Sequence, residues 1–125
     1  MNVVDSSGWL EYFADGPNAR FFAAPIEDLE HLIVPSICLL EVFKKILKER
    51  DETAALETVA HMHLGRVVDL DSRIALNAAS LGHELRLPLA DSVVLATARA
   101  HQAVLWTQDS DFQPIEGVKY IAKKK

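Results

Sequence analysis

Short apolar runs, widely spaced, leave this chain few ways to fold. Val3-Val4, Leu32-Ile33-Val34, Val67-Val68, Ala103-Val104-Leu105-Trp106 and Val118-Lys119-Tyr120-Ile121 are each only a few residues long, and each carries at least one β-branched side chain. The residues between them carry helical spacing and helix-starting residues. A short, wholly apolar strand is buried on both faces. Strands that alternate with helices therefore argue for a mostly parallel sheet covered on both sides. The spacing predicts helices over 7–13, 18–24, 37–50, a start at Asp51 or Thr53 running to 64, 73–85 and 92–101. Gly16-Pro17 breaks the first, Pro25 ends the second and Gly65 stops the fourth. Ser36 is the expected cap of the third. The fifth has Ile74, Leu76, Ala78, Ala79 and Leu81 as its expected apolar stripe. Lys123-Lys124-Lys125 reads as a frayed, solvated tail.

The 125 residues suit a single domain spanning 1–125, large enough to bury a core without staples. No apolar run reaches the length of a membrane span, and no basic segment precedes an apolar one at the N-terminus, so neither an anchor nor a secretory signal is expected. The single cysteine, Cys38, cannot form an internal disulfide. Among Ile37, Leu39 and Leu40 it reads as a reduced core thiol of a cytoplasmic protein. The net charge of −5 argues against a protein that grips nucleic acid with lysine and arginine alone. It leaves open an enzyme whose carboxylates are neutralised by a divalent cation that then receives a phosphate.

Several acids stand where surface chemistry does not require them. Asp5 ends the first strand, where a helix N-cap is the simple alternative. Glu41 is the only charge in the apolar run 37–43, unless it pairs with Lys45 one turn on. Asp91 is the sole charge between Leu87 and Ala98, at the start of an apolar helix whose dipole would favour it. Asp109 and Asp111 follow the fourth strand, after Thr107, in what could be a plain polar turn. All of them fall at strand ends or helix starts on one expected edge of the sheet, where open α/β folds bind ligands. Carboxylates gathered there repel one another, and a hard cation such as Mg²⁺ or Mn²⁺ relieves that repulsion. The chemistry such a site supports is phosphodiester hydrolysis.

At these residues the chain resembles the PIN-domain nucleases. The likeness rests on Val3-Val4-Asp5-Ser6-Ser7, on Pro35-Ser36 with Glu41, on Leu87-Pro88-Leu89-Ala90-Asp91-Ser92, and on Leu105-Trp106-Thr107-Gln108-Asp109-Ser110-Asp111-Phe112. The short length is similar to the VapC-like toxin ribonucleases of type II toxin–antitoxin pairs. The resemblance implies a three-layer α/β/α sandwich, a Mg²⁺-dependent endoribonuclease, a homodimer, an RNA substrate and a cognate antitoxin that blocks the site. It assigns Asp5, Glu41 and Asp91 to the regular acids and Asp109 to the fourth, with Asp111 second. Thr107 and Ser7 fall at the hydroxyl positions that orient acids or water. On this reading Asp5 and Asp91 bind Mg²⁺ directly, and Glu41 and Asp109 act through water or a second cation.

Other groups read more plainly. His61 and His63 are two apart on a helix and point different ways. Lys44, Lys45, Lys48 and Arg50 form a solvated face or a phosphate contact beside the acids. Trp9, Tyr12, Phe13, Phe21, Phe22 and Phe43 are expected in the core, some of them lining a groove for a partner helix. A haloacid-dehalogenase-type phosphatase would need an acid where Ser7 stands. A phospho-acceptor receiver domain could use Asp69 after Val67-Val68 but lacks the acid pair beside Asp5. A catalytically degenerate PIN-like binding module would not need its acids intact.

Overall fold

The structure is a computed structural model that describes residues 1–124. In chain order it runs β1 (Asn2–Val4), α1 (Ser6–Phe13), α2 (Ala19–Glu27), β2 (Leu32–Pro35), α3 (Ser36–Glu49), α4 (Glu52–Met62), β3 (Arg66–Val68), α5 (Ser72–Leu85), α6 (Leu89–Ala100), β4 (Val104–Thr107) and β5 (Val118–Tyr120). Single 3₁₀ turns cover Leu29–His31 and Ser110–Phe112. The strands form one sheet in the order β3-β2-β1-β4-β5, every neighbouring pair parallel. The fold is thus the expected α/β/α sandwich with a short parallel sheet.

β1 is central, with Val3 opposite Ile33 on one side and Leu105 on the other. Val3, Val4, Ile33, Val34 and Leu105 are buried together with Trp9, Phe22, Val94 and Leu95 of the covering helices. From β1 the chain winds outward through β2 and β3, then returns to place β4 on β1's other side. The strand order therefore reverses between β1 and β4, and the carboxyl ends of those two strands open the crevice where such folds bind ligands.

Four local expectations are corrected. Pro25 does not end α2 but lies inside it, since burial of Pro25 and Ile26 carries the helix on to Glu27. The loss is the hydrogen bond that Pro25 cannot donate, one turn from the helix end. Ser36 does not cap α3. It is the first helical residue, Pro35 precedes it, and its Oγ accepts from Leu70 N at 3.2 Å instead. α6 begins at Leu89 rather than Ser92, because Pro88 takes the extended N-cap conformation and releases the chain into the helix at once. In α5 only Ile74 and Ala78 of the expected stripe are buried, whereas Leu76 is 72% exposed and Ala79 is exposed as well. The helix packs on α6 along one narrow line, and residue 76 is half a turn from it. Of the C-terminal tail, Lys123 and Lys124 are exposed, and Lys125 lies outside the described residues.

Candidate active site

Asp5 leaves β1 and caps α1, and its side chain is almost completely consumed in doing so. Oδ1 accepts from Gly8 N at 3.0 Å and from Ser7 Oγ at 2.7 Å. Oδ2 accepts from Thr107 Oγ1 at 2.6 Å, across from the neighbouring strand β4. A carboxylate oxygen has two lone pairs, so Oδ1 is saturated and Oδ2 keeps one. Asp5 is 3% exposed. Burial pushes its carboxyl up to about 6, against the three hydrogen bonds, and the nearby Asp109 adds to the rise.

Thr107 serves both sides of the crevice. While its Oγ1 donates to Asp5, it accepts from Asp109 N at 2.9 Å. Asp109 in turn caps the 3₁₀ turn, its Oδ1 accepting from Asp111 N at 2.9 Å. Glu41 stands in the second turn of α3, half-buried, and its Oε1 accepts from Ser6 Oγ at 2.6 Å. The simple pairing of Glu41 with Lys45 does not occur. Lys45 Nζ lies 3.1 Å from Glu49 Oε1. Asp91 occupies the first turn of α6, where the helix dipole favours its charge. Even so its carboxyl is pushed up to about 7, by burial first and then by Asp109, Asp5, Glu41 and Asp111. That list of causes is the electrostatic signature of the crevice: five carboxylates from four segments press on one another.

Asp5, Glu41, Asp91 and Asp109 line one open cleft of about 330 Å³ together with Ser6, Ser7 and Lys45. Asp111 does not line it and is exposed, yet carboxylate oxygens of Asp91, Asp109 and Asp111 lie within 4.8 Å of one another. The geometry therefore brings all the singled-out acids to the crevice, with Asp109 inward and Asp111 at its outer side. Ser6 was not singled out in the sequence. Its only signal was a second hydroxyl between Asp5 and Ser7. His61 and His63 have no part here. The His61 ring packs edge-on against Tyr12 and Phe13. Of the aromatics, Trp9 and Phe22 are fully buried, while Tyr12, Phe13, Phe21 and Phe43 are half-buried.

The donor set fits a small hard cation. It consists of carboxylate oxygens, the ligands that suit Mg²⁺ or Mn²⁺. No described residue pairs a cationic side chain with Asp5, Glu41, Asp91, Asp109 or Asp111 within salt-bridge distance, and Lys45, which lines the cleft, is engaged by Glu49.

The model of the PIN domain family matches residues 3–118, from within β1 to the start of β5. No curated protein sequence matches the chain. Among solved structures the chain is similar to a toxin–antitoxin complex from Klebsiella pneumoniae, with a TM-score of 0.76 at 23% identity over 95% of this chain and 96% of that one. It is similar to FitAcB from Neisseria gonorrhoeae, with a TM-score of 0.76 at 20% identity over 97% and 96% of the two chains. It is also similar to VapC20 of Mycobacterium tuberculosis, a sarcin-ricin loop cleaving toxin, with a TM-score of 0.75 at 16% identity over 93% and 95%. At these identities the likeness is one of fold. Because the family model covers nearly every element that builds the crevice, this chain belongs to the PIN domain family.

Proposed function

We propose that this protein is a divalent-metal-dependent endoribonuclease and the toxin of a toxin–antitoxin pair. The observation that carries the reading is the cleft in which Asp5, Glu41, Asp91 and Asp109 meet with no basic side chain among the described residues paired to them. Asp91, Asp109 and the free lone pair of Asp5 Oδ2 would hold Mg²⁺ or Mn²⁺, with Asp111 beside them and Glu41 binding through water or holding a second ion. When bound, the ion supplies charge stabilisation at the phosphoryl oxygen and a more acidic water. The chain's own residues do the rest. Ser7, Gly8 and Thr107 hold Asp5 in one orientation, so its one free lone pair faces a fixed direction. Ser6 holds Glu41 at the same opening, where a half-buried carboxylate can orient the attacking water or take its proton. Attack by water leaves 5′-phosphate and 3′-hydroxyl ends.

Several solved relatives in fold are toxin–antitoxin complexes, and this supports an antitoxin as the partner of this chain. Exposed leucines support a homodimer: Leu40 on α3, Leu76 on α5 and Leu89 at the head of α6, the helix on which both α3 and α5 pack. Among the described residues no helix is long and apolar enough to cross a membrane, and with the lone buried Cys38 this supports a cytoplasmic site of action.

The test is cleavage of single-stranded and structured RNA by wild type, Asp5→Asn and Asp91→Asn, with Mg²⁺ or Mn²⁺ and with EDTA. The expected result is cutting that EDTA abolishes and that either substitution lowers by about 100-fold or more, the scale of losing a group that orients metal and water. Cutting that survives EDTA or both substitutions overturns the reading. A protein that binds no divalent ion by calorimetry would instead be the binding module. Growth arrest that depends on Asp91 and is relieved by a neighbouring small gene would establish the toxin role.

A further inference from the structure

Behind the acidic crevice lies a polar network that none of its carboxylates explains. Asn18 is 2% exposed and Gln108 is 6% exposed, and they meet across 90 positions of sequence. Asn18 Nδ2 donates to Gln108 Oε1 at 2.9 Å and to the backbone carbonyl of Ala122 at 3.1 Å. Asn18 N donates to Glu11 Oε2 at 2.7 Å, and Gln108 Nε2 makes a longer contact of 3.5 Å to Glu11 Oε1. The orientation of both amides is forced. A main-chain carbonyl can only accept, so the Asn18 nitrogen must face Ala122, and the same nitrogen then selects the oxygen of Gln108. That leaves the Gln108 nitrogen for Glu11. Asn18 Oδ1 has no hydrogen-bond partner among the described residues, so the side-chain hold on Gln108 and Ala122 runs through Nδ2.

What the network grips is the turn that bears the acids. Gln108 lies between Thr107, whose hydroxyl bridges Asp5 Oδ2 and Asp109 N, and Asp109 itself. On the other side Ile121 N donates to Thr107 O at 3.0 Å, and Ala122 follows on to Asn18. The three residues at the exit of β4 are therefore held by Asp5 in front, by β5 at the side, and by Glu11 and Asn18 behind. Glu11 sits on α1, the helix that Asp5 caps. The same helix thus anchors both walls of the crevice.

We propose that Gln108 is a positioning residue: its side-chain amide, clamped between Asn18 and Glu11, fixes the β4 exit turn so that the Asp109 carboxylate stands within reach of a cation shared with Asp91. This rests on the reading of the cleft as a cation site. Groups behind a ligand set govern affinity by holding the ligands in one geometry, so that no ordering is left to be done on binding.

The test is titration of Mn²⁺ alone into wild type, Gln108→Met and Glu11→Gln by calorimetry, well below each protein's unfolding midpoint, with the midpoint measured separately in urea. Gln108→Met keeps the length of the side chain and removes its hydrogen bonds. It is expected to weaken Mn²⁺ binding by about tenfold or more, the scale of outer-shell effects on metal affinity. Glu11→Gln, which puts an amide where the Gln108 nitrogen needs an acceptor, is expected to weaken it in the same direction by less. A purely structural role would lower the urea midpoint and leave the affinity of the folded protein untouched. Wild-type affinity in folded Gln108→Met overturns the proposal. If that variant does not fold, wild-type affinity in Glu11→Gln overturns it. A wild-type protein that binds no Mn²⁺ overturns the cation site and this inference together, and so marks that failure apart from the first.

Discussion

Asp5 reconciles two roles that compete when only its sequence position is known. It is a helix cap through Oδ1 and a crevice acid through Oδ2, because a carboxylate has oxygens enough for both. Its raised carboxyl has a consequence for stability. A folded state whose acid has pKa about 6, against 3.8 when unfolded, holds a proton that the unfolded chain has released. Without metal, the Asp5 contribution to stability should therefore be fully present below pH 3.8 and be lost as pH rises through 6, by about 3 kcal/mol. Asp91, raised to about 7, extends the decline toward neutrality. Urea unfolding in EDTA across this range checks the sign, and Mg²⁺ or Mn²⁺ added near pH 7.5 should restore the loss by binding only the folded state. Thr107→Val tests the bridge between the walls. It leaves a lone pair of Asp5 and the amide of Asp109 without their partner in a buried place, and should cost about 1–3 kcal/mol in urea unfolding as well as weakening Mn²⁺ binding.

At the scale of elements, the crevice depends on how closely α1 sits on β1. Gly8, in the first turn of α1, has no room for a side chain. An added Cβ would lie 2.6 Å from both Phe22 Cε1 and Val4 Cγ1. Alanine is the better helix former by about 1 kcal/mol, yet Gly8→Ala should destabilise the protein by about 1–3 kcal/mol, since close-packed neighbours must shift. A thermal melt of this single variant decides which effect wins. A shift of α1 would also carry Ser7 away from Asp5 and Ser6 away from Glu41, so activity should fall further than stability alone explains.

At the scale of the molecule, the order β3-β2-β1-β4-β5 accounts for why distant residues meet. Asp5 and Thr107 end adjacent parallel strands, Glu41 follows β2 and Asp91 heads the helix that packs on β1, β2 and β4. Parallel strands all present their carboxyl ends on one edge, so each acid reaches the same rim from a different part of the chain. The exposed leucines belong to this scale too. Replacing both Leu76 and Leu89 with Lys should turn the proposed dimer into a folded monomer in analytical ultracentrifugation, with far-ultraviolet circular dichroism unchanged. A wild-type protein that already sediments as a monomer would count against the dimer.

Much of this was legible from residue order. Val3-Val4 and Leu32-Ile33-Val34 read as short buried strands, and the alternation with helices argued for a parallel sheet. Glu41 and Asp91 stood out because charge inside apolar runs is costly, and that pattern is read from neighbours along the chain, while Asp5, Asp109 and Asp111 stood out by their place after strands. What the order of residues could not decide were matters of competing partners. Lys45 chose Glu49 over Glu41, Ser36 served Leu70 rather than its own helix, Pro25 was tolerated inside α2, and Leu76 faced outward. Nor could it join Asn18 to Gln108. Each of these turns on which groups the packed layers bring together or leave in solvent, and burial, which sets the strength of every such contact, exists only once the layers have closed.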